Sequence, residues 1–302
     1  MPSWNELLEQ LSGKSPAWLE AQLDQTLANI GLHRKTKNVI LYASGFLQKP
    51  DIPPHISQIT YEDINGFMSV MFGMDWDSGL TLLLHTPGGN GNAAETIVDY
   101  LWQKFPYIEV IVPTFAMSAG TMISLAADKI VMGRQSQLGP IDPQLYISGR
   151  YVSAQCVVEQ FDKAKEEILE DSSLAPVWFP LLQSIGSAGL EDARNALAYG
   201  EKTVANWLAN RMFKDLDDPV ITANKTAHFF NDATVHLSHG RRINRDEAKK
   251  EKVVIEDLED DPALQEMVLT SYHLATLLFE KTLVTKMVWN NMGRRWIKNS
   301  NH

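Results

Sequence analysis

The sequence predicts an α/β protein built on a parallel sheet, and three observations carry that prediction. Short apolar runs of strand length occupy residues 39–42, 80–85, 108–112 and 129–132. The segments between them carry helical apolar spacing, and strands that alternate with helices pair in parallel through right-handed crossovers. The composition is that of an ordinary globular chain: 302 residues, 44% hydrophobic and 21% charged, enough for one large domain or two small ones with a sizeable core.

Taken in order, the first thirty residues read as two amphipathic helices, which suit a membrane surface or a partner but are preferred as a hairpin packed on their own domain. Trp4, Leu7, Leu8 and Leu11 form one apolar stripe, and Leu19, Leu23, Leu27 and Ile30 the other, with Gly13 between them. After the first strand, Thr60 begins a helix with Asp63 in a capping-box position. A helix over residues 92–104 follows the second strand. The third strand stops at Pro113, and a small-residue helix over residues 118–127 leads to the fourth. Residues 145–153 read as a hairpin turning at Ser148-Gly149-Arg150. Beyond it the chain reads as helical, with segments centred near Val158, Leu181, Ala196 and His228. Asn244 with Glu247 marks one more helix start, and Asp261-Pro262 opens a long helix reaching about residue 291. This gives an N-terminal helical segment over residues 1–35, an α/β core over 36–150 and a helical C-terminal region over 151–302 packed on that core.

Composition excludes several functions. With 27 Lys+Arg against 37 Asp+Glu, the formal net charge is −10, and phosphate binding needs a basic surface, so nucleic acid is not the expected partner. The one cysteine, Cys156, permits neither an internal disulfide framework nor a cysteine-based zinc site, and fits a reducing cytoplasm. Met1-Pro2-Ser3-Trp4-Asn5-Glu6 lacks the basic start and apolar core of a secretory signal. The apolar residues 108–132 are broken by Pro113, Ser118, Gly120 and Asp128, so they do not make a membrane span. A soluble cytoplasmic protein is expected. No His-x-x-x-His pair, phosphate loop or dinucleotide fingerprint occurs, so no metal or cofactor is expected. The interleaved charges of residues 241–252 read as a solvated helix face. The tail, with Lys286, Arg294, Arg295, Lys298, Trp289 and Trp296, suits either contact with anionic lipid or packing across the core with charged ends, and the second reading is preferred.

Two loops follow consecutive strands, where such sheets place their chemistry. Thr86-Pro87-Gly88-Gly89 is a tight turn whose adjacent glycines leave backbone N–H groups bare, so it can cradle an anion or form an oxyanion hole; alone it also reads as just a turn. Met117-Ser118-Ala119-Gly120 puts a serine at a strand-to-helix turn among small residues, analogous to a nucleophile elbow but without Gly-x-Ser-x-Gly. Alone, Ser118 reads as a helix cap. Side by side at one end of a parallel sheet, the loops offer donors and a hydroxyl, the pairing that acyl transfer needs.

These two loops, followed by Ser136-Gln137-Leu138-Gly139-Pro140-Ile141-Asp142-Pro143, resemble the Clp protease/crotonase superfamily. Within it the chain is similar to the serine dehydrogenase proteinase family, a relative of the Clp proteolytic subunit and of signal peptide peptidase A. Residues 36–145 carry the core of the match, and Ser238-His239-Gly240-Arg241-Arg242-Ile243 extends it. The resemblance implies a spiral of β-β-α units, homo-oligomers that are frequently ring-like, and hydrolysis of peptide or protein substrates through Ser118. By motif position, Gly89 and Ala119 would donate the oxyanion-hole N–H groups.

Serine needs a general base. Where the Clp proteolytic subunit carries a histidine, this chain carries Asp142, 24 residues after Ser118. One alternative is the Ser118, Asp142, His239 order implied by the closer family. His239 is preferred over His236 because it lies in the family-like segment, while His85 reads as a supporting residue and His273 as packed on the long helix. The other is a Ser–Lys dyad using Lys165. That lysine interrupts the apolar face of Val157, Phe161, Ala164 and Ile168, where burial would lower its pKa. The expected activity is that of a serine endopeptidase. Alternatives are a catalytically inactive scaffold or peptide-binding protein of the same fold, and a crotonase-type acyl-CoA enzyme.

Overall fold

The strands form where the apolar runs are continuous, because a strand covered on both faces has no solvent side on which to alternate. The computed structural model describes residues 4–300. Met1, Pro2 and Ser3, which entered the sequence reading, lie outside the described residues, as does the side chain of Trp4. The chain divides into two compact units: one comprises the chain up to Leu138 and from Ile243 onward, the other Gly139–Arg242.

The first unit opens with α1 (Trp4–Leu11) and α2 (Pro16–His33). There follow β1 (Asn38–Ser44), α3 (Pro54–Ser57), α4 (Asp63–Met71), β2 (Leu80–His85), α5 (Gly91–Trp102) and β3 (Ile108–Val112). Next come β4 (Phe115–Ala116), α6 (Ala119–Leu125), β5 (Lys129–Met132) and β6 (Gln137–Leu138). All seven residues of β1 and all six of β2 are buried. Each long strand hands over to a short extended segment and then, for the first three, to a helix. The short segments pair with one another in turn: Ile59 with Gly89, Thr86 with Ala116, β4 with β6, and Leu138 with Ile243. This second ladder is the signature of a β-β-α spiral, and the chain has the α/β ClpP-like fold. Asp63 accepts the Thr60 N–H at 2.8 Å, one half of the expected capping box, but α4 begins at Asp63 rather than at Thr60, and Thr60 Oγ1 has no hydrogen-bond partner among the described residues.

The second unit begins with a hairpin of β7 (Gln144–Ile147) and β8 (Arg150–Ser153), turning through Ser148 and Gly149 at φ 50° and 84°. Positive φ at both central residues is the geometry that fits strand twist in a two-residue loop. Five helices follow: α7 (Ala154–Glu170), α8 (Ala175–Gln183), α9 (Gly189–Asn210), α10 (Pro219–Asn231) and α11 (Ala233–His236). Ala154, Val157 and Ala193 are buried together, with Leu145, Ile147, Phe161 and Leu197 packed against them.

The chain returns to the first unit through α12 (Arg245–Lys250), β9 (Ile255–Asp257), α13 (Pro262–Lys281), β10 (Val284–Asn290) and β11 (Arg295–Asn299). The sheet therefore has seven strands in the order β11-β10-β1-β2-β3-β5-β9, with β10 antiparallel to β1 and to β11 and the other neighbouring pairs parallel. Leu19, Leu23, Leu27 and Ile30 of α2 share one core cluster with Leu264, Val268, Leu274 and Leu278 of α13 and with Leu41, Leu83, Ile111 and Trp289 of the sheet. At the amino ends of the strands, buried Glu109 is held by Arg34 at 2.5 and 2.7 Å and by Thr81 at 2.6 Å. A cavity of about 770 Å³ opens there, and its charged Arg34, Glu109, Lys129 and Glu256 are spent on one another.

Two expectations are corrected. The long helix does not reach residue 291: it ends at Lys281, and the tail is a hairpin in the sheet. Lys49 supplies part of the reason, its ammonium donating to the Thr282 and Val284 carbonyls at 2.8 and 2.7 Å and closing the helix end. β-Branched Val284, Thr285 and Val288 then favour a strand. The Asn290 side chain accepts the Met292 and Arg294 N–H groups to fix the turn, where Gly293 takes φ 78°. The C-terminal region is thus not helical throughout, since β9, β10 and β11 all lie in it. Of the two readings of the tail, the packed one describes it: Trp289 and Lys286 are fully buried, and Arg295 meets Glu20 at 2.8 Å. Among the described residues, no helix is long and apolar enough to cross a membrane.

Candidate active site

Ser118 stands between β4 and α6 with φ 50° and ψ −116°, a conformation that non-glycine residues rarely adopt. Its side chain makes no capping hydrogen bond, so the reading of Ser118 as a helix cap does not hold. Among the described residues the half-buried Ser118 side chain has no hydrogen-bond partner, and it stands at a strained turn, which is the backbone form of a nucleophile elbow.

The elbow is fastened to the Pro-Gly-Gly turn. Thr86 N–H donates to the Phe115 carbonyl at 2.9 Å, and Met117 N–H donates to the Thr86 carbonyl at 3.1 Å. Gly88 has φ +97°, and a Cβ there would lie 2.6 Å from the Met117 oxygen and 2.7 Å from the Ser118 Cβ. Only glycine permits that approach. On the other side, Ile59 N–H donates to the Gly88 carbonyl at 2.8 Å and Asn90 N–H to the Ile59 carbonyl at 2.9 Å. The Gly88 N–H is taken by Thr86 Oγ1 at 3.2 Å. The Gly89 and Ala119 N–H groups donate to nothing among the described residues. The first unit thus holds a free serine hydroxyl and two bare amides, one from each of two interlocked loops.

The second unit holds an acid–histidine pair. His239 Nδ1 lies 2.7 Å from Asp142 Oδ1, and the Gln144 amide donates to Asp142 Oδ2 at 2.7 Å. Asp142 is almost wholly buried, while the His239 side chain is 30% exposed. An Nδ1–H directed at a carboxylate leaves Nε2 of the neutral ring as a proton acceptor. The histidine loop is bracketed by His236, a buried ring that donates from Nε2 to the Phe229 carbonyl at 2.6 Å and accepts from Arg241 at 3.0 Å. His236 is therefore committed to structure.

The remaining candidates separate clearly. Lys165 is exposed on α7, so the burial that would fit a lysine for base chemistry is missing. Lys163, on the solvated side of the same helix, pairs with Glu167 at 3.8 Å. His85 is buried against Phe46, Phe115 and Tyr272, with Nδ1 2.9 Å from Thr114 Oγ1, and burial lowers its pKa to about 3. It is a neutral ring directly before the Pro-Gly-Gly turn. Among the described residues, no three His, Cys, Asp or Glu side chains converge as metal ligands, and the Cys156 thiol is exposed.

Residues 25–178, just over half of the 302, match the ClpP-like SDH-type serine proteinase family. The chain belongs to that family. It is also similar to two uncharacterized proteins of Methanocaldococcus jannaschii. With MJ0137 it is 43% identical over 115 residues, covering 37% of this chain and 39% of that one. With MJ1495 it is 34% identical over 114 residues, covering 38% of each. The match thus spans less than two fifths of either relative. Among solved structures, a mutant of the 1510-N membrane-bound stomatin-specific protease aligns over 66% of this chain and 75% of its own, at 19% identity and a TM-score of 0.38.

Two parts of this arrangement escaped the sequence reading. Gln144, which steadies Asp142, is separated from it only by Pro143, and an amide beside an acid carries no signal by itself. Gly88 was legible as a turn residue, yet its contact with the elbow depends on the short ladder joining residues 86 and 116.

Proposed function

We propose that the protein is a serine endopeptidase that cleaves peptide bonds with Ser118 as nucleophile. The observation that carries this reading is the positive-φ backbone of Ser118, with its hydroxyl uncapped, locked against a turn whose Gly89 N–H is free. Family membership supports the same chemistry.

In this reading His239 Nε2 takes the Ser118 proton as Oγ attacks the peptide carbonyl carbon. Negative charge develops on the carbonyl oxygen, where the Gly89 and Ala119 N–H groups stabilise it. One such donor is typically worth about 10²–10³ in kcat. The imidazolium then protonates the departing amine, leaving an ester on Ser118. Water, deprotonated by the same ring, attacks the ester carbonyl; the bond to Ser118 Oγ breaks, the ring returns the proton to Oγ, and the acid product leaves. Asp142 holds the ring in the required tautomer and stabilises its positive form, and Gln144 holds Asp142. Aspartate at position 142, where the Clp proteolytic subunit carries a histidine, is the feature that favours a silent scaffold. The 2.7 Å pair between Asp142 and His239 favours the active reading.

Ser118→Ala is expected to abolish both casein hydrolysis and fluorophosphonate labelling, a loss of about 10⁴-fold or more, with an unchanged thermal unfolding profile. Hydrolysis at the wild-type rate in that variant would overturn the assignment.

A further inference from the structure

The first unit contains a buried ion pair that the proposed chemistry does not use. Asp63 of α4 and Lys286 of β10 are both 0% exposed, with Lys286 Nζ 2.6 Å from Asp63 Oδ1. Their bonds to the backbone converge on one short stretch of chain. Lys286 Nζ donates to the Gln58 carbonyl at 2.8 Å. Asp63 Oδ2 accepts the Thr60 N–H at 2.8 Å and the Tyr42 hydroxyl at 2.9 Å. The residue between those two anchor points is Ile59, whose N–H and carbonyl are bonded to Gly88 and Asn90. A Cβ on Gly89 would fall 2.5 Å from the Ile59 nitrogen, so the contact has no slack.

Stability does not explain such a pair. Desolvating two charges is costly, and replacing a buried pair by apolar groups of similar size is often neutral or stabilising. Burial pulls the Lys286 ammonium below its ordinary pKa, and the Asp63 carboxylate is the largest influence against that. What the pair supplies is direction: charge-assisted hydrogen bonds with narrow geometry, applied to both flanks of one residue.

We propose that Asp63 and Lys286 are positioning residues for the oxyanion-stabilising turn: by gripping Gln58 and Thr60 on either side of Ile59, they fix where the Gly89 N–H points. The value of that direction to catalysis rests on the peptidase reading above, whereas the grip itself does not.

The test removes both charges together, so that neither is left buried and unpaired. The double variant Asp63→Asn/Lys286→Met is expected to fold and to retain KM, with kcat on a peptide substrate reduced about 10- to 100-fold. Amide hydrogen exchange at Ile59 and Asn90 is expected to quicken about tenfold or more, with β3 and β5 unaffected. A folded double variant with wild-type kcat, or with wild-type exchange at those amides, overturns the proposal. Should the double variant fail to fold, Tyr42→Phe removes one bond to Asp63 and leaves the pair intact. It should shift exchange and kcat the same way by about threefold, and no shift in either overturns the proposal. If the wild-type protein hydrolyses nothing, the peptidase reading has failed, and the exchange measurement alone decides the grip.

Discussion

At the scale of single residues, the site is a place where the backbone accepts strain and its neighbours make that strain tolerable. Ser118 at φ 50° costs about 1–3 kcal/mol relative to a relaxed turn. The cost is sustained by missing side chains as much as by bonds. A Cβ on Gly88 would strike the elbow, and one on Gly120 would lie 2.5 Å from the Thr86 methyl. These small residues were legible because a serine among glycines and alanines after a strand has few other uses. His85 shows the opposite case, since its burial comes from Phe46 and Tyr272, far from it in sequence. That burial has a measurable consequence. In the folded chain His85 stays neutral until the pH approaches about 3, whereas an unfolded chain takes up its proton near 6.5. The unfolded state binds more protons across that window, so stability is full above it and falls as the pH drops from 6.5 toward 3. Between neutrality and about pH 5 the loss from this group amounts to about 2 kcal/mol. Urea unfolding of His85→Gln should show that much less acid sensitivity than wild type, and equal sensitivity in the two proteins would remove His85 as the cause.

At the scale of elements, most of the fold was readable because apolar period and length agreed. The strands over residues 80–85, 108–112 and 129–132, the caps at Asp261 and Asn244, and the turn at Ser148-Gly149 are signals that nearest neighbours complete. The C-terminal hairpin was not readable, because Val284, Met287 and Val288 continue an apolar spacing that a helix also satisfies. Tertiary context decides against the helix: β1 offers an open edge, and residues 286–290 pair with residues 40–44. Trp289 then enters the core at 0% exposure and donates from Nε1 to Asp24 at 2.7 Å, with the Arg295 guanidinium over its ring. Trp289→Ala is therefore expected to cost about 3–5 kcal/mol, the range for emptying a packed aromatic site. A lipid-facing tryptophan would cost almost nothing in water. Denaturant titration separates the two, and a loss under about 1 kcal/mol would mean that the tail does not belong to the sheet.

At the scale of the whole molecule, the residues named in the proposed reaction belong to two separate stretches of the fold, each a compact unit. The first carries the hydroxyl and the bare amides, and the second carries Asp142, Gln144 and His239. Their division follows from how the chain is threaded. The spiral runs to Leu138, leaves for residues 139–242, and resumes at Ile243. Leu138 and Ile243 are themselves paired, each N–H donating to the other's carbonyl at 3.0 and 2.9 Å. The first unit therefore closes its own ladder across the point where the second is inserted, and the insertion begins and ends at one place. Such a site tolerates excision, because joining ends already in contact leaves little loop entropy to overcome. Replacing residues 139–242 by a short glycine-rich turn is expected to leave a folded protein with a cooperative thermal transition. Ser118 should then have lost its fluorophosphonate reactivity, since the hydroxyl and amides remain without a base. Labelling that survives the excision would place the base inside the first unit and strip His239 of its role. A collapsed, uncooperative product would show instead that the spiral depends on its insertion for folding.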